Sequence, residues 1–315
     1  MIRLIKTNLQ YLTFRELFLV GAAGALFLGI RGGLLSYDNS FSGDYLIFAV
    51  LICAAVTLLN VGREHMDGVI RNKLTLGFTR MKIYASFIIT SAVSSTVLYL
   101  LTAVPFFAVS SANVAKYMPE GEYFKMALIC YVTALVITMG STVLAICVPR
   151  LSIAAVLLLA SAIGFVVMSH SFEAKLSQSR TNSYMISYRS LEDIKEYGEN
   201  MDDFYYDPLE DAYIGTQEQE NEYYVGGTSR SIMRTVLFCD PYFQLQGVTA
   251  AVRLYEQESF AQRAEMILNT DFDPDVFDFR YDVFRNYHTF PIYSGVFIVI
   301  LITAGALVFR KININ

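Results

Sequence analysis

The chain has 315 residues, of which 54% are hydrophobic and only 17% are charged. Soluble domains carry about 25% charged residues, so this composition argues against a soluble protein and favours one that lies largely in a lipid bilayer. The net charge of −5 has little meaning before it is divided among regions, and we expect no nucleic-acid partner.

The N-terminal residues include Arg3, Lys6 and Arg15 ahead of the first apolar run, which Arg31 interrupts. A cleaved signal peptide requires a small-residue site soon after a short apolar core. The residues after Arg31, GGLLSY, are a poor match, so we interpret the run as a retained first span. Arg31 either reaches back to the outer interface, as long side chains near a helix end do, or lines a path for an anionic or amphipathic cargo.

Six segments are long enough to cross a membrane, because a hydrocarbon core of about 30 Å requires about 20 helical residues. Their approximate bounds are 17–36, 44–62, 83–109, 124–148, 151–169 and 289–309. Pro149 and Arg150 alone separate the fourth from the fifth, and a proline beside a charge favours a tight turn there. One kinked helix in their place would leave five spans. The small residues GAAGA at 21–25 allow close helix packing, and Pro105 could kink the third span.

The loop between the second and third spans, residues 63–82, is basic although apolar runs flank it on both sides. Its cations are Arg63, Arg71, Lys73, Arg80 and Lys82. Its apolar residues at helical spacings are Met66, Val69, Ile70 and Leu74. Asp67 and Arg71 can pair at i,i+4, Gly77 is suited to end the helix and Thr79 to cap the next one. The pattern predicts an amphipathic helix at about 64–76, which by physics alone would lie on anionic lipid.

The distribution of charge predicts the orientation. The N-terminus, the 63–82 loop, the turn at 149–150 and the C-terminal tail together hold eleven Lys or Arg residues and three acidic residues. Residues 170–288 hold 22 acidic residues and ten Lys or Arg, a balance of −12. Because short cytoplasmic loops are enriched in Lys and Arg, we expect both termini and the basic loop in the cytoplasm and residues 170–288 outside.

The outward segment is too long for a connector and predicts a small domain. SIMRTVLF at 231–238 and TAAVRLYEQESFAQRAEMIL at 249–268 are helix-like. Residues 277–283 alternate between apolar and charged side chains, as in a half-buried strand, and GGTSR at 226–230 is typical of a loop or hinge. We therefore predict an all-α polytopic membrane protein with an α+β extracytoplasmic domain: residues 1–169 form five spans, 170–288 the domain, and 289–315 the sixth span and tail.

The sequence offers no pattern for catalysis or for a resident cofactor. No Asp or Glu lies inside the predicted spans beyond their margins, which disfavours a proton-driven secondary transporter. No G-x-x-x-x-G-K-[ST] loop is present to bind ATP. The histidines, His65, His170 and His288, are scattered, and we interpret them as having no metal role. The run DFDPDVFDFRYD at 271–282 is similar to a calcium loop but has Val276 where glycine is required, which favours a solvated acidic strand. The four cysteines indicate no disulfide.

Glu64 followed by DGVIRNKLTLGFTRMKIYASFIIT resembles the cytoplasmic segment between the second and third spans of type 2 ABC transporter permeases. The matching residues are Glu64, Gly68, Ile70, Arg71, Asn72, Lys73, Leu74, Gly77, Thr79, Arg80 and Tyr84. Six spans with both termini inside and a large outward insert before the last span extend the resemblance over the chain. The insert itself matches no pattern of that family.

In that family the segment after the second span is a coupling helix that docks on a separate ATP-binding subunit. The resemblance therefore implies the cell-membrane permease subunit of an ATP-driven exporter, which is not itself an enzyme and whose partner binds ATP and Mg. It also implies a second permease copy, or a related permease, around a cargo path. The residues that we assign to coupling are Glu64, Asp67, Gly68, Ile70, Arg71, Asn72, Lys73, Leu74, Gly77 and Arg80; Arg31 and Pro105 are assigned to a possible cargo path or kink. We expect Arg71 and Lys73 to meet acidic groups on the ATPase.

The alternative is a non-transporting membrane protein whose extracytoplasmic domain binds a ligand or a cell-envelope partner. In that case the spans would serve only to anchor the domain or to signal.

Overall fold

The computed structural model describes residues 1–13, 16–38, 44–114, 120–188, 190, 204–207, 212–256, 283 and 285–312. Six of its helices are long and apolar enough to cross a membrane. Their bounds are Glu16–Asp38 (α2), Asp44–Met66 (α3), Arg80–Val114 (α5), Glu120–Cys147 (α6), Leu151–Leu176 (α7) and Phe290–Lys311 (α10). The prediction of six membrane-spanning helices is confirmed at this level. The turn at Pro149 and Arg150 is also confirmed, because it separates α6 from α7.

A helix that the sequence analysis did not predict precedes the first span. This helix, α1, covers Ile2–Thr13. Leu4 and Asn8 are both buried, whereas Ile2 is exposed. Because residues four positions apart share one face of a helix, the buried pair defines the side of α1 that packs on the first turns of α5.

Glycines set the close approach of α2 to its neighbours. A Cβ atom on Gly21 would lie 2.5 Å from the Val56 side chain of α3, which agrees with the close packing predicted for GAAGA. A still closer approach lies about two turns after Gly21, where a Cβ on Gly29 would lie 2.3 Å from the backbone oxygen of Thr102 in α5. The Thr102 hydroxyl also donates a 3.0 Å hydrogen bond to the Ala25 carbonyl. The first span is therefore held against the backbone of the third.

Three strands lie in a part of the outward segment for which the sequence analysis named no element. They are Thr181–Tyr188 (β1), Phe204–Asp207 (β2) and Ala212–Glu220 (β3). They form an antiparallel sheet in the order β1-β3-β2. In the register of the longer pair, Thr181 lies opposite Glu220 and Tyr188 opposite Tyr213.

Two helices follow the sheet, Gly227–Cys239 (α8) and Pro241–Glu256 (α9). The helix predicted at 231–238 is confirmed within α8. The loop predicted at 226–230 is wrong, because α8 begins at Gly227, whose positive φ of 62° turns the chain into the helix. Of the helix predicted at 249–268, residues 249–256 are helical; the remainder lies outside the described residues, as do the calcium-like run at 271–282 and nearly all of the strand predicted at 277–283.

A short α4, Val69–Thr75, connects α3 to α5, and a 3-10 turn, Tyr287–Thr289, precedes α10. One buried cluster joins α4 to the first turns of α5, the last turns of α3 and α6, and the end of α10. A second cluster joins α8 and α9 to the other ends of α3, α5, α6 and α10. The bundle therefore has an α4 end and an α8–α9 end, each with its own core.

Candidate functional site

The predicted coupling segment lies at the α4 end of the bundle, but it is not one continuous helix over 64–76. α3 ends at Met66, and Gly68 then takes a φ of 70°, a left-handed conformation that only glycine adopts readily. α4 begins one residue later. The break places residues 64–66 on the second span and residues 69–75 on a separate helix.

The sequence analysis correctly predicted where α4 ends and how α5 is capped. Gly77 has a φ of 87°, its amide donates to the Leu74 carbonyl at 2.9 Å, and the Phe78 amide donates to the Lys73 carbonyl at 3.2 Å. These two bonds form a Schellman motif, which satisfies the last carbonyls of a helix. The Thr79 hydroxyl then accepts a 3.4 Å hydrogen bond from the Lys82 amide, so Thr79 caps α5 as expected.

A buried ion pair holds α4 against the end of α3. The ammonium group of Lys73 lies 2.6 Å from the Glu64 carboxylate, and the two residues are only 8% and 7% exposed. The same nitrogen lies 4.6 Å from the centre of the Phe87 ring in α5. The expectation that Lys73 meets an acidic group on a partner is thus corrected: in this structure its charge is already paired inside the chain.

Asn8 extends this pair to the N-terminal helix. Lys73 Nζ donates a 2.9 Å hydrogen bond to Asn8 Oδ1, and Asn8 Nδ2 donates to the Ser86 hydroxyl at 3.2 Å. Ser86 in turn donates to the Ile83 carbonyl at 2.7 Å. Four polar side chains from α1, α3, α4 and α5 therefore form one buried network. Sequence reasoning missed it, although Asn8 at the same helical face as Leu4 was a visible signal.

The remaining side chains of α4 divide into a buried face and an exposed face. Ile70 is fully buried and Leu74 packs partly against the same cluster, as the helical spacing predicted. Arg71, Asn72 and Thr75 are exposed.

Two apolar side chains flank that exposed face. Leu76, directly after α4, is 77% exposed. Met66 was predicted to share one apolar helical face with Ile70 and Leu74, but it belongs to α3 and is 62% exposed. Asp67, in the turn between the two helices, is exposed as well. The outer face of α4 therefore presents the cation Arg71 beside the apolar side chains of Met66 and Leu76, with Asp67 in the adjoining turn.

Arg80 contacts the last helix of the chain. Its guanidinium donates hydrogen bonds to the carbonyls of Ile312 and, at 3.4 Å, Arg310. A cation at the C-terminus of a helix also interacts favourably with the helix dipole. One turn later the Tyr84 hydroxyl donates to the Ile302 carbonyl at 2.8 Å. These residues therefore attach the start of α5 to α10.

The two residues assigned to a cargo path or kink lie on other helices. Arg31 is on the exposed side of α2, whereas the adjacent Gly32 and Gly33 face α3 and α5. Pro105 lies inside α5, which continues through it to Val114. The described part of the chain contains no group of three His, Cys, Asp or Glu residues that could hold a metal ion.

Four segments that the charge pattern placed on one side do lie at the α4 end. α1 meets Lys73, the end of α10 meets Arg80, and Leu151, just after the α6–α7 turn, contacts Gly62. α4 is therefore a short surface helix whose inner face is held by buried polar contacts and whose outer face is exposed.

No protein-family model matches the chain, and no curated protein matches it.

Proposed function

We propose that the chain is the permease subunit of an ATP-driven ABC exporter, with α4 as the helix that receives the movement of a separate ATP-binding subunit. The main observation behind this proposal is that α4 has a firmly held inner face and an exposed outer face. Its inner face is held by the Lys73–Glu64 pair, while Arg71 and Leu76 are exposed to a partner. The resemblance of residues 64–84 to type 2 permeases supports the same assignment.

The α4 end faces the cytoplasm in this proposal, as the excess of Lys and Arg in its segments favours. Binding of ATP draws two ATPase subunits together, and each displaces one α4. The displacement reaches α3 through Glu64 and α1 through Asn8, because both side chains bond to Lys73. It reaches α5 through the tight turn at Gly77. A second copy of the chain, or a related permease, completes the cargo path.

The roles of the cations differ from those expected from sequence. Arg71 is the cation that meets an acidic group on the ATPase, and Leu76 contributes an apolar contact beside it. Lys73 and Arg80 act inside the chain, since the first pairs with Glu64 and the second bonds to the end of α10. An interface with a hydrophobic centre and a few charges is typical of protein partners.

The experiment is purification of the tagged full chain from its native membranes in a mild detergent. We expect a polypeptide with a phosphate-binding loop in a constant ratio to the chain, and ATP hydrolysis in the purified complex. The double variant Arg71→Glu, Leu76→Asp should lose this polypeptide. Arg150→Glu, which changes an exposed cation in the α6–α7 turn, should keep it.

Two results would count against the proposal. One is recovery of the native chain without any ATP-binding polypeptide, which would favour an anchored receptor of the kind described as the alternative. The other is equal loss of the partner in the Arg150 control, which would show that general charge, and not the face of α4, holds the complex.

A further inference from the structure

The α8–α9 hairpin inserts its turn, Cys239–Asp240–Pro241, into the α8–α9 end of the bundle. Gln244 fixes it there. The side-chain oxygen of Gln244 accepts hydrogen bonds from Thr133 in α6 at 2.9 Å and from Ser294 in α10 at 2.7 Å. Its side-chain nitrogen donates to the Phe238 carbonyl at 2.6 Å. The tip of the hairpin is thus a buried interface between α6, α8, α9 and α10.

Asp240 lies at this tip and is 1% exposed. Its Oδ1 accepts hydrogen bonds from the amides of Tyr242 at 2.8 Å and Phe243 at 3.5 Å. These bonds cap α9, and Pro241 occupies the first helical position, where its missing N–H costs nothing. Its Oδ2 is also buried but has no hydrogen-bond partner among the described residues. One oxygen of the carboxyl group therefore has a structural role and the other has none.

The cations of α8 do not reach this second oxygen as partners. The Arg234 guanidinium lies over the Phe238 ring, 5.2 Å from its centre, and Arg230 donates a 2.8 Å hydrogen bond to the Leu176 carbonyl at the end of α7. On the α10 side, the ring of Tyr293 packs against the ring of Phe238 at 5.5 Å.

On the other elements packed against the hairpin, the described residues with titratable side chains include Glu122 and Lys125 of α6, Glu173 and Lys175 of α7, and two exposed histidines, His170 of α7 and His288 just before α10. On α6, Lys125 pairs with Glu122 at 2.5 Å, and Glu122 also accepts from the Tyr287 hydroxyl. On α7, the exposed ring of His170 lies 6.0 Å from the ring of Tyr242. His170 and His288 both lie beside elements that contact the hairpin, so the experiment includes a control for each.

We propose that Asp240 is a proton-binding site: Oδ2 holds a proton while the hairpin is docked in the bundle and releases it to water when the hairpin leaves. An unpaired carboxylate that loses its water is very costly, whereas a neutral carboxylic acid is not. The capping role of Oδ1 is unaffected, since that oxygen accepts hydrogen bonds in both states. This inference concerns the hairpin alone and does not depend on the proposed transport function.

The electrostatics agree with this geometry. Burial raises the pKa of Asp240 from 3.8 to about 7, although its two backbone hydrogen bonds act in the opposite direction. The pKa of Asp240 is higher in the docked state than in the undocked state. The proton therefore contributes its full stabilisation of the docked state below the undocked pKa, and this stabilisation is lost as the pH rises through the docked pKa. From these two values, the undocked fraction should rise on the order of tenfold to a hundredfold between about pH 5 and about pH 8.

Cys239 provides a native reporter next to the site. Its thiol is half-buried at the end of α8, so undocking should expose it to a maleimide. The experiment measures the modification rate of Cys239 in the full chain by peptide mass spectrometry, as a function of pH. The control is Asp240→Asn, which keeps a capping oxygen but cannot ionise. Dividing the two rates removes the intrinsic pH dependence of the thiol.

We expect the ratio of the native rate to the Asp240→Asn rate to rise at least tenfold across that pH range. Ionised Asp240 would itself raise the pKa of the adjacent thiol and slow its reaction, so a rise cannot come from this direct effect. His170→Gln and His288→Gln should each leave the rise unchanged. A flat ratio would overturn the proposal, as would a rise that disappears in either histidine variant. If Asp240→Asn does not fold, infrared pH titration of the native chain decides: no carboxylic acid band that disappears near pH 7 means no such site.

Discussion

Replacing Lys73 by methionine should destabilise the chain through the buried Glu64 carboxylate that is left behind. Lys73 Nζ lies 2.6 Å from Glu64, and both side chains are about 10% exposed. Methionine preserves the apolar length of the side chain, so the loss is mainly electrostatic. Removing one partner of a buried ion pair costs about 3–5 kcal/mol, because the other charge stays unpaired and away from water.

A second ion pair in the chain provides the matched control. Lys125 and Glu122 lie 2.5 Å apart, but the Lys125 side chain is 51% exposed. Exposed pairs contribute about 0–1 kcal/mol, because water and salt screen them. Lys125→Met should therefore change the free energy of unfolding by about 1 kcal/mol or less. The two substitutions are chemically identical, but Lys73 is buried and also contacts Asn8 and Phe87.

The assay is the free energy of unfolding in mixed detergent micelles, measured for Lys73→Met, Glu64→Gln and the double variant. Each single variant should be clearly destabilised, and the double variant should lose at least about 2 kcal/mol less than the sum of the two. Additive losses would refute the reasoning, since they would mean that the two charges do not interact. Equal losses for Lys73→Met and Lys125→Met would refute the role of burial.

Two further predictions use the same assay. Gly29→Leu should cost about 3 kcal/mol or more, because a Cβ atom would lie 2.3 Å from the Thr102 backbone oxygen and the helices must separate. At Gly164 an added Cβ would face open space, so Gly164→Leu should be neutral or slightly stabilising. An equal cost at both glycines would contradict the close contact. Gln244→Leu should cost about 2–4 kcal/mol, because it leaves buried hydrogen-bonding groups without a partner, whereas Gln246→Leu, half-buried on the same helix, should cost little. Similar values for the two glutamines would mean that the Gln244 network does not hold the hairpin.

The parts of the fold that sequence predicted are those that local chemistry determines. Long apolar runs identified all six spans, since a helix is the structure that satisfies an isolated backbone in lipid. Pro149 marked the α6–α7 turn, and Gly77 and Thr79 marked the break before α5. Each of these signals acts within a few residues of its own position.

The parts that sequence missed depend on contacts between distant residues. Lys73 was interpreted as a docking cation because nothing local shows that the turn at Gly68 returns it to Glu64. Its second partner, Asn8, is 65 positions away. For β1 a local signal did exist, because Tyr184, Ile186 and Tyr188 stand at every second position of TNSYMISY. The acidic residues that follow are typical of a solvated surface, and so the strand was not predicted.

The unequal lengths of α5 and α10 have a consequence for the surrounding lipid. At 1.5 Å per residue, the 35 residues of α5 extend about 52 Å, well beyond a hydrocarbon core of about 30 Å, whereas the 22 residues of α10 extend about 33 Å. Longer acyl chains would thicken the bilayer and create a mismatch at α10 before one arises at α5. Because Arg80 bonds to the final carbonyls of α10, the resulting shift would be transmitted to the first turn of α5. Bilayer thickness should therefore alter the position of the α4 segment without any change in its sequence.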